Sequence, residues 1–250
     1  RYRGGAGLAP SAVQAGALTL VLPRTPKASD AVTGGQDTVA LRVPAHPLAL
    51  ALLEEFGSGI AAPSANRFGK VSPTTAAHVR EELGDAVDLV LDGGPCAVGV
   101  ESTIVDLSGP LPRLLRPGGV SLEALERVLG APVPVATADD EVRAPGMLAS
   151  HYSPRAGLCL ATPATLAAEA ARCAALGAKV AALCPRPQPL PAGVTAVPVP
   201  ADDAGYAREL YATLRALDAQ GCDIVVAVLP AEAGLGRAVR DRLTRAATKA

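Results

Sequence analysis

Three small polar side chains, Ser64, Asn66 and Ser72, fall within nine residues of one another in GIAAPSANRFGKVSPTTAAHV, residues 59–79. Glycines and prolines flank them, and a helix start follows. The apolar stretch before them predicts a buried strand at 58–62, so Ser64 and Asn66 would emerge at its carboxyl end. Ligands of open α/β sheets bind beyond the carboxyl ends of strands. Hydroxyls and amides there can bond phosphate oxygens, or the water shell of a metal, without adding charge. The same residue types also build ordinary turns by bonding the local backbone. Both readings stand on these residues alone.

A second stretch, GGPCAVGVESTIVDL at 93–107, places glycines before Glu101, Ser102 and Thr103. Glycines permit backbone N–H groups to approach an anion closely, and the two hydroxyls could orient a polar ligand. A loop entering a strand that carries Thr is the plainer reading. In LPRLLRPGG, Arg113 and Arg116 are three apart, which puts them on opposite faces of a strand. One guanidinium can then meet a phosphate with paired hydrogen bonds while the other is solvated. Arg42 in LRVP admits the same two readings. His151 and Tyr152, in HYSP, could fold over a cleft as part of a lid, or simply pack on a domain. His46 and His78 fall on predicted helices and are assigned no chemistry. Cys96 lies in a Gly/Pro loop with nothing nearby in sequence to lower its pKa. No Ser/His/Asp order, metal cluster or carboxylate pair emerges, so no catalytic side chain is assigned. The combination points to a small phosphorylated ligand held by hydroxyls, backbone amides and an Arg.

These residues need a scaffold, and the composition supplies one. The 250 residues are 49% hydrophobic and 19% charged, enough apolar material for two packed domains and too much for disorder. The formal net charge of −1 shows no strong nucleic-acid footprint. Five Cys without a C-x-x-C pair argue for reduced thiols in a cytoplasmic protein rather than a disulfide framework or zinc site. No apolar run has the length of a membrane span, and the opening RYRGGAG is no signal peptide. It also lacks an initiator Met, which is expected of a fragment or a processed product.

Short β-branched runs alternate with Ala/Leu/Glu-rich segments, the pattern of an α/β protein. Strands are predicted at 17–22, 38–43, 58–62, 87–91, 103–107 and 112–116, and helices at 46–56, 74–83 and 121–129. A Pro- and Ala-rich interdomain linker occupies 132–155 between a first domain, 1–131, and a second, 156–250. In the second, strands are expected at 157–161, 178–184, 194–199 and 223–228, with helices at 164–176, 204–219 and 234–247. GLGRAVRDRL opens the last helix, and its two glycines are a weak phosphate signal.

Taken together and in order, LTLVLPR, TVALRVPAHP, APSANRFGKVSPT, GGPCAVGVESTIVDL and LLRPGGVS resemble the YrdC-like threonylcarbamoyl-AMP synthases. APGMLASHYSP and the segment running through GLGRAVRDRL resemble the linker and C-terminal domain of the long, two-domain form. The resemblance spans about residues 17–247. It implies a YrdC-like twisted mixed sheet with flanking helices, then a small Rossmann-like α/β domain. It further implies synthesis of threonylcarbamoyl-AMP and pyrophosphate from L-threonine, bicarbonate and ATP, with Mg2+ accompanying the nucleotide. The product would pass to the machinery that modifies adenosine 37 of tRNA. By the same resemblance Thr19, Ser64, Asn66, Ser72, Arg116 and Tyr152 would contact ATP, while Ala62 and Ser102 would hold L-threonine. Two rival readings are a non-catalytic nucleotide- or RNA-binding module and carbamoyl transfer to another acceptor.

Some of the family pattern is not matched. A Lys-x-Arg motif that grips ATP and a His that helps hold threonine belong to the family's N-terminal third, which RYRGG does not reproduce. VQAGA stands where a Trp-Pro-Gly-Pro run precedes LT, and MLAS replaces more basic and aromatic residues before HY. The expectation is an N-terminally incomplete chain, with an exposed sheet edge and with its own activity left open.

Overall fold

Alternating apolar residues make Leu18–Pro23 a strand, β1, whose Leu18 and Val21 are buried. In the computed structural model, which describes residues 16–137 and 152–248, β1 lies inside a four-stranded mixed sheet. Its antiparallel neighbour is β2 (Thr38–Leu41), and its parallel neighbour is β3 (Thr103–Asp106). The fourth strand, β4 (Arg113–Arg116), runs antiparallel to β3, giving the order β2-β1-β3-β4. A short helix, α1 (Asp30–Thr33), and α2 (Pro47–Phe56) lie on either side of β2 in sequence. Helix α4 (Leu122–Leu129) covers one face of the sheet, where Leu125 meets Leu18, Val105 and Leu114. Ser121 caps it by accepting from Ala124 N at 3.2 Å, and Gly130 ends it in the left-handed region.

The second sheet is entirely parallel. Its strands are β5 (Gly157–Ala161), β6 (Val180–Cys184), β7 (Thr195–Pro198) and β8 (Ile224–Val228), in the order β5-β8-β6-β7. The inner strands VAALC and IVVAV are nearly continuous apolar runs, as a sheet covered on both faces requires. Helix α5 (Leu166–Ala174) covers one face through Leu166, Ala170 and Cys173. Helices α6 (Asp203–Ala219) and α7 (Gly236–Ala247) cover the other through Leu210, Leu214, Val239 and Leu243. This is the α/β layering that the alternation predicts and the Rossmann-like domain that the resemblance implies. All five Cys are free thiols. Among the described residues, no helix is long and apolar enough to cross a membrane.

The chain divides into two compact units that are discontinuous in sequence. Of the described residues, 16–63 and 101–137 make one, while 64–100 and 152–248 make the other. The second unit thus contains the SAN segment, the Gly-rich loop and helix α3 (Ala76–Leu83) along with the parallel sheet. Val71 belongs to the same apolar core as Leu210, Tyr211 and Val239, and Val100 packs against it.

Two expected strands are absent. Residues 58–62 and 87–91 are extended or irregular and mostly exposed, with Leu89 at 73% and Leu91 at 48%. A strand exists only with a hydrogen-bonded neighbour, and among the described residues neither segment has one. Ser64 and Asn66 therefore follow an exposed extended segment and not the carboxyl end of a buried strand. Arg1, Arg3, His151 and most of the expected linker lie outside the described residues.

Candidate functional site

In the first unit, three adjacent strands bring Thr19, Ser102 and Arg116 together. Thr19 is on β1, Ser102 immediately precedes β3, and Arg116 ends β4. The Thr19 and Ser102 hydroxyls are 2.7 Å apart. Arg116 donates Nη2–H to Ser102 O at 2.8 Å and Nε–H to the same oxygen at 3.1 Å. Its Nη2 is also 3.3 Å from Ser102 Oγ. Arg113 is exposed and Arg116 buried, the split that the strand spacing predicts. A buried guanidinium beside two hydroxyls is a permanent cation with directional donors, the chemistry that recognises a carboxylate or phosphate. Ala62 also belongs to this unit and is exposed.

Local packing fixes this cluster. Thr103 donates to Val120 O at 2.6 Å and accepts from Val120 N at 2.9 Å, clamping the PGG turn after β4. Gly119 N donates to Glu101 O at 3.1 Å. Gly118 lies so close to the backbone of Glu101, Ser102 and Thr103 that a Cβ there would fall closer than 3.0 Å to each. In LLRPGG, Gly118 therefore holds the backbone of EST in place.

In the second unit, Asn66 closes a turn, as the plainer of the two readings expects. Its Nδ2 donates to Arg67 O at 2.9 Å and Lys70 O at 3.1 Å, closing a local turn. Two carbonyl acceptors fix the orientation of the amide. Its Oδ1 is then buried without a hydrogen-bond partner. Ser64 is exposed and Ser72 buried. Thr75 caps α3 by accepting from His78 N at 3.2 Å, and the helix begins at Ala76 where 74 was expected. His78 Nδ1 accepts from Thr74 N at 3.3 Å, which requires an unprotonated Nδ1. Desolvation, followed by the Arg215 charge, holds the His78 pKa below its ordinary value. His46 is likewise a cap, accepting from Leu48 N. Burial pushes the Cys96 thiol up, as expected where nothing stabilises a thiolate.

Helix α6 supports both polar loops of this unit. Arg215 donates Nη2–H to Val71 O at 2.7 Å and Nε–H to Ser72 O at 3.4 Å, and it pairs with Glu82 of α3. Gly99 packs on the backbone of Ala207 and Arg208, where a Cβ would fall closer than 3.0 Å. Cys96 N donates to Thr74 O at 2.9 Å, tying one loop to the other. Gly99 thus serves close packing in this structure, whereas the sequence suggested an approach to an anion. Arg215 escaped the sequence reading. Its signal was an Arg at i+4 from Tyr211, inside the apolar stripe of a helix.

The Tyr152 ring is buried at 2% exposure in the core of the second unit. It stacks on Tyr211 with centroids 5.9 Å apart, and the Arg242 guanidinium lies 4.8 Å from its centroid. Its backbone is left-handed, φ 62°, unusual for a bulky residue. Ser153 N donates to Gly69 O at 2.8 Å, so the chain after Tyr152 is tied to the loop before Ser72. The weak phosphate signal in GLGR has a different explanation. The Asp203 carboxylate lies against Gly234 and Gly236 at the start of α7, so a protein anion already complements that helix end. Among the described residues, no group of three or more His, Cys, Asp or Glu could hold a metal.

A mixed sheet carrying a buried Arg–hydroxyl cluster, and a separate parallel sheet covered by helices on both faces, place the chain among two-domain α/β proteins. A family model described as "Telomere recombination" (Sua5_yciO_yrdC) matches residues 7–118. A second, "Threonylcarbamoyl-AMP synthase, C-terminal domain", matches residues 120–248. Threonylcarbamoyl-AMP synthase of Pyrococcus abyssi is 39% identical over 92% of this chain and 70% of its own length. The Bacillus subtilis protein of that name is 40% identical over 93% of this chain and 70% of its own. The crystal structure of P. abyssi Sua5 complexed with L-threonine superposes with a TM-score of 0.84 at 38% identity, covering 93% of this chain and 70% of that one. The chain belongs to the threonylcarbamoyl-AMP synthase family.

Proposed function

We propose that this protein makes threonylcarbamoyl-AMP and pyrophosphate from L-threonine, bicarbonate and ATP, for transfer to tRNA in the cytoplasm. Family membership over more than nine-tenths of the chain is the observation that carries this reading. The α-amine of threonine adds to bicarbonate with loss of water, giving a carbamate. A carbamate oxygen then forms a bond to the α-phosphorus, and the bond from that phosphorus to the bridging oxygen of pyrophosphate breaks. No side-chain nucleophile is needed, because positioning and charge neutralisation supply the rate. We assign Thr19, Ser64, Asn66, Ser72 and Arg116 to ATP, and Ala62 and Ser102 to L-threonine. Tyr152 is assigned to the nucleotide through the linker whose end it anchors, since its ring is buried. Mg2+ would arrive on the ATP phosphates, where Asn66 Oδ1, an acceptor without a partner, suits a water of the hydrated ion. The domain layout that goes with this reading is a catalytic domain at 1–131, a linker at 132–155 and a C-terminal domain at 156–250.

The test is pyrophosphate release by the full-length gene product. Release that requires both L-threonine and bicarbonate supports the synthase. RNA binding at physiological salt without such turnover would replace it with the binding-module reading, and carbamoyl transfer without adenylation would replace it with the other.

A further inference from the structure

We infer that Arg215 is a positioning residue for ATP, acting through the loop that carries Ser64, Asn66 and Ser72. The inference rests on the ATP assignment above and extends it to α6, a helix on which no substrate contact is assigned. Arg215 sits on α6, four residues after Tyr211 and deep enough that its side chain is only 15% exposed. Two of its nitrogens donate to main chain, Nη2 to Val71 O and Nε to Ser72 O. The same guanidinium pairs with Glu82, itself 11% exposed, in the last turn of α3. One side chain therefore fixes both the peptide of Ser72 and the far end of the helix that follows it.

The surroundings make this a purposeful placement of charge. Taking a guanidinium out of water is costly unless its donors are satisfied in good geometry. A Leu or Met in the apolar stripe of α6 would pack against Val71 without that cost, but it would not define where the Ser72 carbonyl points. Lysine could pair with Glu82, yet it lacks the planar fork needed to hold two successive carbonyls at once. Three further ties limit the freedom of the loop: Arg67 N to Glu82 Oε1 at 2.8 Å, Ser153 N to Gly69 O at 2.8 Å and Cys96 N to Thr74 O at 2.9 Å. Arg215 holds both the Glu82 carboxylate and the Ser72 carbonyl, and so reaches a residue assigned to ATP most directly. A displacement of about 1 Å at a positioning group can cost a hundredfold in rate, so a side chain that never touches substrate can still set affinity for it.

The experiment compares Arg215→Met, Arg215→Lys and the charge-neutral pair Arg215→Met/Glu82→Gln with the wild-type gene product. Steady-state kinetics should show KM for ATP raised about tenfold in Arg215→Met, with kcat reduced less. KM for L-threonine should stay within about twofold, because Ser102 and Ala62 have no bond to Arg215. Arg215→Lys should recover only part of the loss. The double variant removes the stranded buried carboxylate, so it should fold yet keep the high KM for ATP. Hydrogen exchange supplies a readout independent of turnover. Amides of residues 69–83 should exchange faster in both Met variants, while those of β6 and β8 stay protected. An unchanged KM for ATP in the folded double variant, or unchanged protection of 69–83, overturns the inference and leaves the synthase reading intact. A wild-type protein without synthase turnover overturns that reading instead, and the exchange data then still decide whether Arg215 orders the loop.

Discussion

Arg116 holds Ser102 by its main chain: two guanidinium donors converge on one carbonyl oxygen, Nη2 at 2.8 Å and Nε at 3.1 Å. A residue assigned to ATP thereby fixes the backbone of a residue assigned to threonine. Arg116→Met should remove both the charge and the clamp. Two charge-assisted bonds are together worth about 1.5–3 kcal/mol. The expected result is therefore a fall in kcat/KM of roughly ten- to a hundredfold, with both substrates affected. Arg116→Lys should restore the charge but not the fork, and should remain well below wild type.

The hydroxyl pair Thr19–Ser102, at 2.7 Å, should behave as a coupled unit. In a double-mutant cycle with Thr19→Val and Ser102→Ala, a coupling energy of about 0.5–1.5 kcal/mol is expected from denaturant unfolding. Ser102→Ala should also raise KM for L-threonine more than Thr19→Val does. Additive effects on both stability and KM would separate the two hydroxyls.

Gly99→Ala should be among the most damaging small substitutions. Its φ is +80°, and the new Cβ would fall on the backbone of Arg208 and Ala207. Left-handed strain of about 1–2 kcal/mol adds to an overpacking cost of about 1–3 kcal/mol. The unfolding midpoint should drop by roughly 5–15 °C. Gly34→Ala is the control, with φ +63° but open space around it, and should lose only the strain component. Equal shifts for the two would show that Gly99 is not held against α6.

His78 should make the protein less stable at mildly acid pH. Its folded pKa lies below its ordinary value of 6.5, so below that pH the unfolded chain binds more protons than the folded one. The contribution is present in full above about pH 6.5 and is lost as pH falls toward the folded pKa. Protonation also removes the Nδ1 acceptor used by Thr74 N. An NMR titration of the His78 ring should give a midpoint below that of a model histidine. It should move upward in Arg215→Met as the neighbouring cation is lost. A midpoint at or above the ordinary value of 6.5 would contradict this.

Much of the layer structure is legible in the sequence, and the reason is local. The runs VAALC and IVVAV are short, apolar and buried, so their composition marks them as strands. The misread segments, 58–62 and 87–91, are apolar as well, but strand formation depends on a neighbour that no short window reveals. The turn at Asn66 was readable from its residue types, and its amide closes it while Oδ1 is left without a partner. What escaped was long-range. Tyr152 finds its ring partners in Tyr211 and Arg242, far along the chain. Gly99 meets α6 by shape and carries no motif. Arg215 lies in the apolar stripe of α6, but its partners Val71, Ser72 and Glu82 are far away in sequence.

The central claim is adenylation of a carbamate made from threonine and bicarbonate. Its most direct measurement is mass spectrometry of the nucleotide products when the full-length gene product is incubated with Mg2+-ATP, L-threonine and 13C-bicarbonate. The account predicts threonylcarbamoyl-AMP carrying one labelled carbon, formed in step with pyrophosphate and absent when threonine or bicarbonate is withheld. Pyrophosphate or AMP formed without any labelled threonylcarbamoyl nucleotide would contradict it.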